Sequence, residues 1–360
     1  MESPHATRFG RATAALFIGG AILLSETVLN GQTSGKFNQP GNILITDQFN
    51  SRVIEIDPNG NIVWQFGNGP GDTAANAIVG TNDAERVGNF TLMSGTGIPP
   101  AGTKNCKKSG CIDNRVILVN AAGDIVWQYG QFGVTGFGPN QLNTPVQNTY
   151  LPNGHVLITD QGNERVIEVR PADNAIVWQY GMNGVIGSGP NQLFNPNAAE
   201  LLANGNILIS DENNNRAIEV THTTPSSIVA TFTGKGSVSG VAFASRLPDG
   251  NTLLTDSNNS RIVEVDSTDT PGWQYVTNVR PGSNPLPLPT RAVRLANGDT
   301  LISDQFNHQV IEVDHAPSPA IVRSYGTIND PGYSPTTASE MNAPYSAYVI
   351  GDYTGITPPF

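Results

Sequence analysis

Charge is scarce in this chain. Only 14% of its 360 residues are Asp, Glu, Lys or Arg, where a soluble domain carries about 25%. Lysine is scarcer still, with five in all. That shortage excludes a coiled coil, which is built from Glu, Lys, Ala and Leu. Cysteine occurs twice, as Cys106 and Cys111, so a disulfide-dense scaffold is excluded. The C-x4-C spacing without further cysteines is wrong for zinc, and no C-x-x-C-H stands ready for haem attachment. Beyond the N-terminal region no apolar run approaches the roughly 20 residues of a membrane span. Nucleic-acid motifs are absent, and a net charge of -11 repels a phosphate backbone.

What is abundant is punctuation: 39 glycines and 26 prolines. That density means many turns and few long helices. Short runs of Val, Ile, Leu and aromatics recur throughout, which excludes wholesale disorder. A length prior of about 150 residues per domain suggests two domains, although closed all-β folds exceed it.

Arg8 and Arg11 precede an apolar stretch from Ala12 to Leu24, followed by small and polar residues. This order reads as a secretory signal peptide over residues 1–31, cut somewhere between Leu29 and Gly35, with residues 32–360 as the mature chain and an uncleaved N-terminal anchor as the alternative. Export would put Cys106 and Cys111 in an oxidising compartment, where a local disulfide is expected. Lys104, Lys107 and Lys108 share that loop and make a basic knob on an acidic protein, read as a solvated loop tip.

One segment repeats. Gly41-NILITDQFNSRVIEIDPNGNIVWQFG returns from Gly154, Gly205, Gly250 and Gly298, with a degenerate copy ending at Gly130. Its Asp falls at 47, 160, 211, 256 and 304, a period of about 50 residues, as in propellers. Each unit holds β-branched runs separated by turn residues, and a further strand precedes each unit, as in Pro145-VQNTYLPNG. Four antiparallel strands make a propeller blade. The first unit lacks its own leading strand, and the C-terminus supplies an orphan one, Met341-NAPYSAYVIGD. The expected fold is therefore an all-β, six-bladed propeller of four-stranded antiparallel blades. The C-terminal strand completes the N-terminal blade, removing free sheet edges.

At these residues the chain resembles the NHL-repeat family. Gly138-PNQLNTP with Pro152-NGHVLITDQGNERVIEV, and Gly189-PNQLFNP with Asn204-GNILISDENNNRAIEV, carry the likeness. It covers about residues 38–355. The NGNIVWQ ending is also similar to propellers related to arylsulfotransferases and to quinone-cofactor propellers. The resemblance implies a fold, and fold does not carry activity.

Asp47, Asp160, Asp211, Asp256 and Asp304 end strands before turns and read as structural turn residues. No cofactor is expected, with calcium at such aspartates the lesser alternative. Arg52, Arg165, Arg216 and Arg261 follow five positions after the first four, with Gln309 in place of arginine after Asp304. They read as blade-to-blade links. Trp64, Trp127, Trp178 and Trp273 occupy outer strands and read as packing between blades. His155, His222, His308 and His315 fall at strand starts or in loops; of these His308 is the leading catalytic candidate. A lyase or an arylsulfotransferase on this fold would need histidine at the axis.

The inner strands differ from blade to blade, which suits a ligand site at the channel mouth. Candidate ligand residues there are Asp83, Asn148, Asn197, Glu200, Arg246, Arg291, Arg294 and Tyr345. The three arginines suit a carboxylate, sulfate or phosphate, and structural ion pairs imitate such sites. The favoured reading is a secreted binding or protein-interaction module, self-associating or surface-attached, with no nucleic-acid partner. The alternative is a hydrolase, lyase or arylsulfotransferase-like enzyme acting on an anionic small molecule.

Overall fold

The computed structural model describes residues 35–99 and 110–352. The expected signal peptide, Cys106 with its bridge to Cys111, and the three loop lysines lie outside these residues. Six four-stranded antiparallel sheets are present. Blade 2 orders Thr81–Val87, Phe90–Gly95, Arg115–Asn120 and Ile125–Gly130 from the axis outward. Blades 3 to 6 begin at the inner strands Pro145–Tyr150, Pro196–Leu201, Val241–Arg246 and Arg291–Arg294. Blade 1 takes its inner strand from the far end of the chain. Pro344–Val349 pairs with Ile43–Asp47, which is followed by Arg52–Ile56 and Ile62–Phe66. The ring closes as the repeat pattern requires.

The second strands are buried from end to end, as in ILITD and VLITD. Both faces of each sheet pack on neighbours, so these strands lose the polar alternation of a half-exposed sheet. Four of the apolar clusters lie in single seams between consecutive blades, and a larger one joins the seams on both sides of blade 1 to Ala198, Phe243 and Val293 of the inner strands.

In every blade but the second, the second strand ends in a short 3-10 turn closed by a left-handed residue: Ser51, Glu164, Asn215, Ser260 or His308. The D-x-x-N-x-R spacing has a direct geometric use. It places the Asp opposite the Arg across the strand pair. Arg Nε then donates to Asp Oδ2 at 2.6–2.8 Å in blades 1, 3, 4 and 5.

The aspartates do not bond the N–H groups of their own turns. They accept instead from the backbone entering the same blade: Asn342, Asn143, Phe194 and Ser239. The next residue along donates to the preceding blade's left-handed position, Ala343 to His308, Asn195 to Glu164 and Gly240 to Asn215. Two adjacent N–H groups thus join the chain entering blades 1, 4 and 5 to both of its blades. The terminal glycine of the repeat follows from the same crowding. A Cβ on Gly67 or Gly181 would lie 2.3 Å from the carbonyl oxygen of Ser51 or Glu164.

Closure does not by itself remove strand edges. The inner edges of blades 3, 4 and 5 are capped by a side chain from the blade before. Asn148 N donates to Asp83, Tyr150 N to Glu85, Ala199 N to Gln147 and Arg246 N to Glu200. The outer edges remain open, with Val126, Val177, Val229 and Val322 exposed.

Candidate functional site at the channel mouth

The inner strands all start on the face that carries the inter-blade connections, here the upper face. Around the axis on that side stand Asp83, Gln147, Asn197, Phe243, Arg291 and Tyr345, one from each blade. Two tethers cross between them. The Arg291 guanidinium of blade 6 reaches the Asp83 carboxylate of blade 2 and lies 4.6 Å from the Phe243 ring of blade 5. The Tyr345 hydroxyl of blade 1 donates to Asn197 Oδ1 of blade 4 at 3.0 Å, spanning the ring. The cavity left is about 10 Å³, room for about one water. Small-molecule sites measure roughly 300–1,000 Å³.

Behind Asn197 sits Glu212, whose Oε2 accepts from Asn197 Nδ2 at 2.9 Å. Burial pushes this carboxyl up to about 7, with the Asn197 bond opposing. Burial also raises Tyr345 far above the usual phenol range, and the Glu212 charge adds to it. Asp83 is raised by burial against the attraction of Arg291. The mouth therefore holds a carboxyl able to exchange a proton near neutrality and a guanidinium whose carboxylate partner an anion would have to displace.

Of the candidate ligand residues, Asp83, Asn197, Arg291 and Tyr345 meet at this mouth. Asn148, Glu200, Arg246 and Arg294 do not. Asn148 is buried in the blade 3 inner strand, and its side-chain amide makes no hydrogen bond. Arg246 and Arg294 end their strands at the opposite side and serve the seams. Arg246 bonds Glu219 at 3.1 Å and stacks over Phe232, both of blade 4. Arg294 bonds Glu264 at 3.0 Å and stacks over Trp273, both of blade 5. Arg86 and Glu55 repeat the arrangement between blades 2 and 1 at 2.7 Å. Glu200 accepts from Ser245 Oγ and Arg246 N in the 4–5 seam. The expected three-arginine grip on an anion is thus not assembled.

The arginine is not kept in every blade: its position is Val349 in blade 1, Tyr150 in blade 3 and Leu201 in blade 4, and the last is informative. In blade 4 the arginine position is Leu201, paired with Ile207 where Arg246 faces Thr252. Glu168 of blade 3 then takes His222 Nε2 at 2.6 Å and His155 Nδ1 at 2.5 Å in place of a guanidinium. His308 is equally structural. Its Nδ1 accepts the Ala343 N–H at 3.0 Å, and burial lowers it to about 4. It stands among the left-handed linkers rather than in a catalytic set. The tryptophans bridge blades: Trp64 Nε1 donates to Ala121 O, Trp178 Nε1 to Thr223 O and Trp273 Nε1 to Ala316 O.

Glu212 is the residue that pattern reasoning passed over. Its place after the repeat Asp holds Gln in three other blades, Gln48, Gln161 and Gln305. A carboxyl in a glutamine position was the available signal.

No family profile and no curated protein matches this chain. Solved structures do match in fold. Virginiamycin B lyase from Staphylococcus aureus is 13% identical, with a TM-score of 0.51 over 79% of this chain and 80% of that one. A streptogramin B lyase structure gives 12% and 0.52 over 78% of each chain. A protein of unknown function from Bacteroides caccae gives 12% and 0.57 over 86% of this chain and 98% of that one. At such identities the likeness shows a β-propeller and nothing finer.

Proposed function

We propose that this chain is a secreted, NHL-like propeller that works as a binding and protein-interaction module. The observation carrying this reading is the sealed mouth. Arg291–Asp83 and Tyr345–Asn197 tie non-adjacent blades across the axis, leaving about 10 Å³. A mouth this full favours recognition by the outer surface over enclosure of a substrate. The export reading rests on residues 1–31, and the NHL reading on the repeat itself. The test is a turnover screen against aryl sulfates, esters and lactones. No turnover is the expected result. Turnover abolished by Arg291→Ala or Glu212→Gln overturns the module reading.

Glu212 favours one second reading, an enzyme acting on an anionic small molecule once the tethers part. Two of the similarly folded proteins are named as lyases, and a carboxyl pushed up to about 7 suits general acid–base work. Calorimetry with sulfate as the probe tests it. Binding weakened by Arg291→Ala supports this reading, and binding unchanged by that substitution removes it.

A further inference from the structure

Two of the six inter-blade connections contain no charged residue: 131–144, entering blade 3, and 182–195, entering blade 4. Every other connection carries at least one charge. The two are near-copies in sequence, GVTGFGPNQLNTP and GVIGSGPNQLFNP, and they are built alike. Gly136 N donates to Leu142 O, as Gly187 N does to Leu193 O, each at 3.1 Å. Isolated parallel bridges join Thr135 to Leu142 and Ile186 to Leu193. Both connections also grip one residue of the blade 3 turn. Asn163 Nδ2 donates to Gly136 O at 2.7 Å, and Asn163 O accepts from Gly184 N at 2.9 Å. They therefore stand side by side on the upper face as two ordered knobs.

These knobs turn apolar groups to solvent. Phe137 is 60% exposed and Ile186 58%, with Val134, Met182 and Val185 beside them. The acid between the knobs, Glu164, is buried and accepts from Asn195 N. A clustered apolar surface without charge is the signature of an interface, and its prior ordering by backbone bonds lowers the entropy lost on binding.

We propose that this double knob is where two copies of the chain meet, related by a two-fold axis. Two molecules of net charge -11 repel over most of their surface, and the two knobs themselves carry no charge. A two-fold contact also suits the near-duplication, because the 131–144 knob of one copy meets the 182–195 knob of the other, and the reverse. The proposal rests on the module reading and names its partner.

The test is sedimentation velocity, across a concentration series, on the chain from residue 32 onward, which contains all six blades. A monomer–dimer equilibrium is expected, weakened about tenfold or more by Ile186→Asp, as for loss of one buried anchor. Phe137→Ser, at an exposed tip, should weaken it in the same direction. Val322→Asp on the outer edge of blade 6 should leave it unchanged. A chain that stays monomeric at every concentration overturns the proposal, as does dimerisation indifferent to both knob substitutions. A monomer without turnover removes self-pairing alone; a monomer that turns over substrate at the mouth removes the module reading too.

Discussion

Arg280 Nη2 donates to Asp304 Oδ2 at 2.6 Å from a connection 24 positions upstream. This contact repairs two departures from the repeat at once. Blade 6 has Gln309 where four other blades place arginine opposite the aspartate. It also has Pro287 in the entering chain, where a backbone N–H would otherwise serve the aspartate, and Asp304 Oδ1 makes no hydrogen bond. Proline has no N–H to give. Arg280 restores the missing cation and also reaches Gln309 Oε1 at 2.8 Å. Removing it strands a buried carboxyl, so Arg280→Ala should destabilise the fold by about 3 kcal/mol. Adding Gln309→Arg in that background should recover most of the loss, since residue 309 faces Asp304 in register. Denaturant midpoints of the three proteins decide it.

Blade 2 solves the same problem by moving the carboxylate. Gly95 stands where the repeat has Asp, opposite Arg115, and Asp113 fills the space with Oδ1 2.6 Å from Arg115 Nε. A Cβ on Gly95 would lie 2.3 Å from Asp113 Oδ2. Gly95→Ala should cost about 1–3 kcal/mol through overpacking. The double change Gly95→Asp with Asp113→Ala rebuilds the ordinary motif and should be the more stable of the two. Thermal midpoints give the comparison.

Glu168 and Glu212 should pull stability in opposite directions with pH. Hydrogen bonds from His222 and His155 outweigh burial at Glu168 and lower it to about 2 from 4.5. Its contribution is therefore present above about pH 4.5 and is lost as pH falls through about 2. Glu212, raised from 4.5 to about 7, contributes fully below about 4.5, and that contribution is lost as pH rises through about 7. Relative to wild type, Glu168→Gln should look least harmful near the acid end. Glu212→Gln should gain on wild type between about pH 5 and 8. Urea midpoints from about pH 2 to about pH 8, taken side by side, test both signs.

Tyr345→Phe removes one bond across the ring and leaves Asn197 Oδ1 without its donor. The expected loss is about 1 kcal/mol, with the fold retained. Hydrogen exchange at the inner strands of blades 1 and 4 should rise above that of blades 2 and 5. Uniform exchange across all four would show that the tether does not hold the mouth.

The blade count, the four-stranded unit and the closing strand were legible because they repeat, and a repeat is a statement about local spacing. Asp47 and Arg52 are five positions apart, and that interval alone places them opposite each other. Arg291 and Asp83 are separated by 208 positions and Tyr345 and Asn197 by 148, so no local interval announces either tether. The arginines showed the same limit. Arg246, Arg291 and Arg294 look alike along the chain, yet Arg291 starts its strand and reaches the mouth, while the other two end theirs and serve the seams. Position within the strand, read against the direction in which each inner strand runs, separates the two roles. Glu212 was legible in principle, because it breaks a column of glutamines.

The strand that completes blade 1 is made after every other strand of the ring. Pro344–Val349 reaches Ile43–Asp47 across some 300 positions, with Ser346 N bonded to Thr46 Oγ1. During synthesis blade 1 therefore waits as a three-stranded sheet with its inner edge bare while the other blades are added. Contacts of such sequence separation form slowly, and unpaired strand edges in the interim invite wrong partners. Truncation just before Met341 should thus be far more damaging than its length suggests, because it returns the whole ring to that unfinished state.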